Sequence, residues 1–277
     1  RDQDVREKLD TAGLGDAVRE LEIVNAANTR HLDHYKDFLY QRLQRQGFDR
    51  QDVHRLAARD RHVFAALMLA HGHGDGLVTG ATRKSAHVLS LINHVFDAKA
   101  TDGAVGVTAL LHKGRILLIA DTLVHEWPDE NDLATIAIRA AGVARNLGLE
   151  PRVAFVSFST FGYPVSERAT KMHRAPLILD ERRVDFEYEG EMTVDVALNP
   201  DQMAHYPFCR LTGPANVLVM PARHSASISV KLMQEMAGAT VIGPILTGVK
   251  KPIQICSTNS TVNDILNMAV MAACKIG

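Results

Sequence analysis

Apolar residues recur along this chain in two rhythms. Spacings of three and four mark helices, because a turn takes 3.6 residues. Short continuous apolar runs bounded by glycine or polar turns mark strands. Leu32, Tyr35, Phe38, Leu39 and Leu43 keep the helical rhythm between His31 and Gly47, and Gly47 suits a stop. Residues 49–58 and 62–70 predict two further short helices. Leu21-Glu22-Ile23-Val24-Asn25 predicts a short strand. Residues 77–82 predict a strand running into a glycine turn, followed by a helix over about 84–96.

The pattern changes near Gly103. Residues 105–111 and 115–120 are β-rich around Lys113-Gly114, a hairpin signal. Pro128-Asp129-Glu130 opens a long helix to Leu147, closed by Gly148, with Asp129 or Asn131 as cap. Residues 152–158 predict an apolar strand, 165–174 a helix, and 184–187 and 194–198 short extended pieces. Residues 216–220 have the unbroken apolar character of a parallel-sheet strand. Residues 225–236 predict a helix with Ile228, Leu232, Met233 and Met236 on one side, and 262–274 a last apolar helix. Strands alternating with helices place the chain in the α/β class with mostly parallel sheet. There is no internal repeat, low-complexity tract or long linker. Domain borders are therefore expected at the short Gly- and Pro-punctuated crossings near 101–104 and 243–248.

Composition leaves this picture standing. Of 277 residues, 46% are hydrophobic and 23% charged, and the length suits two domains or one large α/β unit. A formal net charge of −1 gives no whole-chain field favouring nucleic acid or an anionic membrane. No run approaches the roughly 20 apolar residues of a spanning helix. Neither nucleic acid nor membrane is expected as a partner. Cys209, Cys256 and Cys274 form no CxxC pair, so a reducing, cytoplasmic setting is expected. The start, Arg1-Asp2-Gln3-Asp4, is charged and lacks both Met and an apolar leader. It is expected to be a processed terminus or the edge of a piece of a longer protein.

Four stretches are candidates for chemistry. His71-Gly72-His73-Gly74-Asp75 has metal-ligating residue types, but no third histidine or cysteine at ligand spacing, and is expected to be a loop rather than a metal site. Thr79-Gly80-Ala81-Thr82-Arg83-Lys84-Ser85 joins a strand, a glycine turn and a helix N-terminus. Unpaired N–H groups there suit an anion, with Arg83 and Lys84 adding charge; a plain helix start is the other reading. Ser157 to Pro164 places hydroxyls after an apolar strand, where open α/β sheets bind ligands, or else caps the following helix. Thr261-Val262-Asn263-Asp264 has capping-box spacing, and Ser257 precedes Asp264 in a polar loop. Capping and a Ser/Asp reaction centre both fit.

In order and spacing these segments together resemble the phosphate acetyl/butyryltransferase (phosphotransacetylase) family, from about Leu67 to Ala273. The matching stretches include Asp75-Gly76-Leu77-Val78-Thr79-Gly80-Ala81, Ile119-Ala120-Asp121, Arg152 to Ser159, Gly190-Glu191-Met192, Gly213 to Pro221, Ile242 to Gly248 and Val262-Asn263-Asp264-Ile265. Phe158 to Gly162, Asp195 to Pro200 and Arg210 to Asn216 resemble, more narrowly, the C-terminal phosphotransacetylase-like domain of bacterial NADP-dependent malic enzymes.

The resemblance implies two α/β domains with mostly parallel sheets and a cleft between them, isocitrate/isopropylmalate dehydrogenase-like. Residues 1–102 plus 245–277 would form domain I, and 103–244 an inserted domain II. It implies the reaction of acetyl phosphate with CoA to give acetyl-CoA and phosphate. A carboxylate takes the thiol proton, the thiolate attacks the carbonyl, a hydroxyl steadies the intermediate, and arginines neutralise the phosphate. The family motif Ser-Arg-Gly-Cys-Ser-x-x-Asp falls on Ser257 to Asp264, giving Ser257 and Asp264 the catalytic positions. Thr258 stands where the family has arginine. Ser90 falls near a second family arginine, with Arg83 as a partial substitute about two turns away. Ligand contacts are expected from Thr79, Gly80, Arg83, Ser159, Thr160, Gly162, Asn216, Gly243, Pro244 and Thr258. Groups that neutralise a transition state are each typically worth a few kcal/mol, so the two losses imply impaired catalysis. The resemblance thus implies a domain that binds acetyl-CoA or CoA as an allosteric ligand, with no tightly bound cofactor. It would report to an N-terminal malic-enzyme region of the same chain and take part in a homo-oligomer. An active phosphate acetyltransferase and a purely structural oligomerisation module are the alternatives.

Overall fold

Residues 2–18, 20–26, 29–96 and 103–274 are described by this computed structural model. They fall into two units, Arg1–His73 with Leu91–Phe96, and Gly74–Ser90 with Asp97–Gly277. The expected border over 101–104 begins outside the described residues. Its described part, like the border at 243–248, falls within the second unit.

The first unit is helical: α1 (Asp2–Thr11), α2 (Gly15–Val18), α3 (Leu32–Leu43), α4 (Arg50–Arg59) and α5 (Arg61–Ala70). The predicted rhythm of α3 is met, with Tyr35, Leu39 and Leu43 buried. A short 3₁₀ turn then ends at Gly47, whose φ of 89° is left-handed. Asp49 caps α4 in a reciprocal box with Asp52, and Asp60 caps α5. Leu21–Asn25 is not a strand: the stretch is irregular, and no described strand pairs with it. A β-branched run needs a hydrogen-bonding edge, which a local pattern does not supply.

The second unit holds the sheets. In order its elements are β1 (Leu77–Gly80), α6 (Ser85–Val95), β2 (Val105–His112), β3 (Arg115–Ala120), α7 (Glu130–Asn146), β4 (Arg152–Val156), α8 (Glu167–Arg182), β5 (Glu187–Met192), α9 (Val194–Leu198), α10 (Pro200–Met203), β6 (Val217–Val219), α11 (Arg223–Ala237), β7 (Thr240–Thr247), β8 (Ile253–Cys256) and α12 (Val262–Ala273). The end of α6 belongs to the first unit. A six-stranded sheet runs β5-β4-β6-β3-β2-β7, and β1 pairs with β8 in a separate parallel pair. Pairing is parallel from β5 to β3 and antiparallel at β3–β2 and β2–β7. The fold is α/β with mostly parallel sheet, as the alternation predicts.

Both faces of the large sheet are covered. Along β4, Val153 and Phe155 join the core under α7 and α8, while Ala154 and Val156 join the core under α9 and α11. That is why these strands read as unbroken apolar runs. Alanines 134, 137, 140, 141 and 144 let α7 lie close to the sheet. Asp129 caps it with Asp132 as reciprocal partner.

Three elements depart from the sequence reading. The helix expected over 165–174 begins at Glu167 and continues to Arg182, past Pro176. The extended piece expected at 184–187 is displaced to β5, Glu187–Met192. Val194–Leu198 is a helix, not a strand, with Val196 and Ala197 turned into the core. Its valines carry β propensity, but burial against the sheet decides their backbone. Among the described residues no helix is long and apolar enough to cross a membrane.

Candidate functional site

Strand β8 ends at Cys256 and gives way to a hydroxyl-rich turn. The Ser260 N–H donates to the Ser257 carbonyl at 3.2 Å, and the two hydroxyls lie 3.2 Å apart. Thr261 then starts α12. Its Oγ1 accepts from the Asp264 N–H at 3.2 Å, while Asp264 Oδ2 accepts from the Thr261 N–H at 2.8 Å and from its hydroxyl at 2.9 Å. The capping reading of this stretch is therefore realised, and Asp264 is held at the helix N-terminus. The Ser257 hydroxyl bonds Ser260 rather than Asp264.

This turn forms one wall of a cavity of about 450 Å³ within the second unit. Ser257, Thr258, Asn259, Ser260 and Asp264 line it, together with Gly243 and Pro244 from β7 and one side of α11. Gly243 has φ 131°, and a Cβ there would meet the Val107 carbonyl oxygen at 2.9 Å, so β7 reaches this wall only with glycine. Thr108 and Thr122 add hydroxyls 2.8 Å apart. Cys256 also lines the cavity; burial, helped by the charge of Asp264, pushes its thiol pKa up, which keeps it protonated. The structure thus gathers Ser257, Thr258, Asp264, Gly243 and Pro244 around one space.

Thr79 and Gly80 sit beside that wall, paired with Ile255 and Cys256 in register. The Ala81 N–H continues the ladder to the Cys256 carbonyl at 3.1 Å. Arg83 does not line the cavity; one guanidinium nitrogen lies 3.4 Å from His87 Nε2. The Ser90 hydroxyl is folded onto its own helix, donating to the His87 carbonyl at 2.7 Å.

The remaining expected ligand residues are engaged elsewhere. Ser159, fully buried, donates to Glu191 Oε1 at 2.9 Å, and the Gly162 N–H reaches the same oxygen at 2.7 Å. His173 Nδ1 lies 3.0 Å from the other oxygen. The Thr160 hydroxyl accepts from the Thr193 N–H. Glu191 thereby fixes the loop after β4, a role that its place in the Gly190-Glu191-Met192 match does not reveal. Asn216 Oδ1 accepts from the Arg152 N–H at 2.8 Å, and its amide donates to the Glu150 carbonyl at 2.7 Å. It therefore clips together the starts of β4 and β6, at the end of those strands away from Ser157 and Ser159.

Another buried carboxylate lies in the Ile119-Ala120-Asp121 match, which gave it no role. Asp121 accepts from the N–H groups of Gly106, Leu123, Val124 and His125, and lies 2.7 Å from His125 Nδ1. That hydrogen bond raises the His125 pKa against the effect of burial, with the charges of Asp121, Asp132 and Asp129 adding to it. In the first unit, His71 Nδ1 lies 2.8 Å from the Leu67 carbonyl oxygen and His73 pairs with the Tyr35 hydroxyl. No metal-ligating cluster occurs among the described residues.

The sequence matches the family described as phosphate acetyl/butaryl transferase over residues 3–273. The NADP-dependent malic enzyme of Rhizobium meliloti is 49% identical over 277 residues, which is all of this chain but 36% of that protein. The chain thus spans little more than a third of that relative's length. The phosphate acetyltransferase of Treponema pallidum is 30% identical over 287 residues, covering 99% of this chain and 83% of that protein. The crystal structure of a phosphotransacetylase from Streptococcus pyogenes superposes with a TM-score of 0.89 at 26% identity, over the whole chain and 84% of its counterpart.

Proposed function

Because the chain belongs to the phosphate acetyl/butaryl transferase family, we propose that its cavity binds acetyl-CoA or CoA but transfers the acyl group poorly. One observation carries this reading. Ser257 and Asp264, at the family's catalytic positions, line the cavity with Thr258, and among the described residues no arginine lines it. The site keeps a carboxylate where a base is needed and hydroxyls where an intermediate would be steadied. It lacks a forked cation for a departing phosphate. Threonine donates one hydrogen bond and carries no charge, so the cost falls on the charged transition state more than on binding.

In this reading the domain is the C-terminal phosphotransacetylase-like part of an NADP-dependent malic enzyme, as its likeness to the Rhizobium meliloti protein supports. Acetyl-CoA is then an allosteric signal to a preceding malic-enzyme region, in a cytoplasmic protein. Residues 1–102 with 245–277 form one domain and 103–244 another, with the ligand cleft between them; the pairing of β1 with β8 is in keeping with that division. A homo-oligomer is supported by the exposed stripe Ile228, Leu232 and Met236 on α11.

Two measurements test the reading: CoA-dependent consumption of acetyl phosphate, and calorimetric titration with acetyl-CoA. Binding without appreciable turnover is expected. Thr258→Arg combined with Ser90→Arg is expected to raise turnover. Robust turnover by the unaltered chain would instead establish an active phosphate acetyltransferase, the reading favoured by the likeness to the Treponema pallidum enzyme. Absence of any CoA-ester binding would leave only a structural, oligomerising role.

A further inference from the structure

Helix α11 shows the cavity a polar side. Ser227, Lys231 and Gln234 are spaced by four and three, so they share one face, and all three line the cavity. Ile228, Leu232 and Met236 occupy a different face and are exposed. Among the described residues Lys231 is the only positively charged one in the cavity lining, against the carboxylates Glu235 and Asp264. Asp264 is tied to Thr261 by its capping bonds. Lys231 has no ion pair or hydrogen bond among the described residues, not even with Glu235 one turn on. The lining also carries the hydroxyls of Ser257, Thr258 and Ser260 and the amides of Asn259 and Asn267. An ammonium among hydroxyl and amide donors is the set that phosphate oxygens accept from.

We infer that Lys231 is the phosphate-holding cation of this cavity, taking up binding where the arginines expected at Thr258 and Ser90 are missing. The sequence reading offered Arg83 for that part, but Arg83 lies outside the lining. The inference rests on the cavity being a site for acyl phosphate or CoA, and it names the group that holds the anion there. A lysine is a hydrated point charge on a flexible stem, whereas an arginine fork grips two oxygens in fixed geometry. Lys231 therefore anchors a phosphate without following the charge that develops as the phosphate leaves. This separates binding from turnover. The phosphate belongs either to a small anion (acetyl phosphate or inorganic phosphate) or to CoA itself, and the test distinguishes them.

The whole chain is titrated calorimetrically with inorganic phosphate, acetyl phosphate, acetyl-CoA and 3′-dephospho-acetyl-CoA. The same is done for Lys231→Met and Lys231→Arg. Thermal melts check folding; Lys231 is exposed, so both variants are expected to melt as the parent does. Losing one charge-assisted hydrogen bond predicts affinity about tenfold to a hundredfold weaker in Lys231→Met, with most of it recovered in Lys231→Arg. If the small anion is the source, phosphate and acetyl phosphate weaken while both CoA esters do not. If the CoA 3′-phosphate is the source, acetyl-CoA weakens while its dephospho analogue binds parent and variant alike. Equal affinities for every ligand in parent and Lys231→Met would overturn the inference and leave the acetyl-CoA reading intact. No binding of any of the four by the parent would overturn both.

Discussion

Gly80 and Cys256 face each other across the β1–β8 pair so closely that a Cβ on Gly80 would lie 2.2 Å from the Cys256 carbonyl oxygen. Gly80 also sits at φ 109°, where side chains are rarely tolerated. Backbone strain and overpacking each cost about 1–3 kcal/mol. Gly80→Ala is therefore expected to lose about 2–6 kcal/mol in urea unfolding. The loop from Ser257 hangs from the displaced strand, so acetyl-CoA affinity should fall too. An unchanged unfolding midpoint would show that this close approach is not obligatory.

The Thr261–Asp264 box allows structure and chemistry to be separated. Thr261→Ala is expected to cost about 1 kcal/mol, the usual value of an N-cap. Asp264→Asn keeps an oxygen for the Thr261 donors but cannot take up a proton. It should cost no more than about 1 kcal/mol, the worth of a negative charge at a helix N-terminus. In the Thr258→Arg, Ser90→Arg background it should abolish the turnover gained. Turnover surviving in that triple variant would take Asp264 out of the base's role.

Asn216 offers the converse case. Asn216→Ala leaves the Arg152 N–H and the Glu150 carbonyl without their partners, worth about 1–3 kcal/mol of stability. Acetyl-CoA affinity, measured below the melting range, should be unchanged. A selective loss of binding with stability preserved would return Asn216 to the ligand site.

His125 sets an alkaline limb on stability. Its folded-state pKa is raised by Asp121 above the ordinary 6.5. The folded chain therefore holds a proton that the unfolded chain releases first. The resulting stabilisation is complete below about pH 6.5 and fades as pH rises through the folded-state value. His125→Gln cannot titrate. Between about pH 6 and pH 8 the parent's melting temperature should fall relative to that of the variant. Parallel curves would mean that the His125–Asp121 contact does not depend on charge.

Local signals carried most of the fold. Asp129 before Glu130, Lys113-Gly114 between two apolar runs, and Gly47 after Leu43 act through bonds a few residues long, so their outcome is visible in the string of residues. Val194–Leu198 was misread because its helix depends on burial of Val196 and Ala197 beneath a sheet assembled from distant segments. The site divided the same way. Thr261 and Asp264 are three apart, and their cap was legible. Ser159 and Glu191 are 32 apart, and nothing near Ser159 announces that its hydroxyl is already committed. On α11 the apolar stripe of Ile228, Leu232 and Met236 is the stronger pattern, and it masks Lys231. The signal was present: Ser227, Lys231 and Gln234 repeat at four and three on another side of the same helix.

That division of α11 into unlike faces makes its length a fixed quantity. Each residue turns a helix by about 100°. One residue inserted ahead of Ser227, with the preceding strand held in place, would put Val230 in the position of Lys231 and turn the lysine to where Leu232 now meets solvent. Lineages descended from this chain can therefore exchange the solvent-facing side chains of α11, but a single residue gained or lost ahead of Lys231 turns the cavity's cation away.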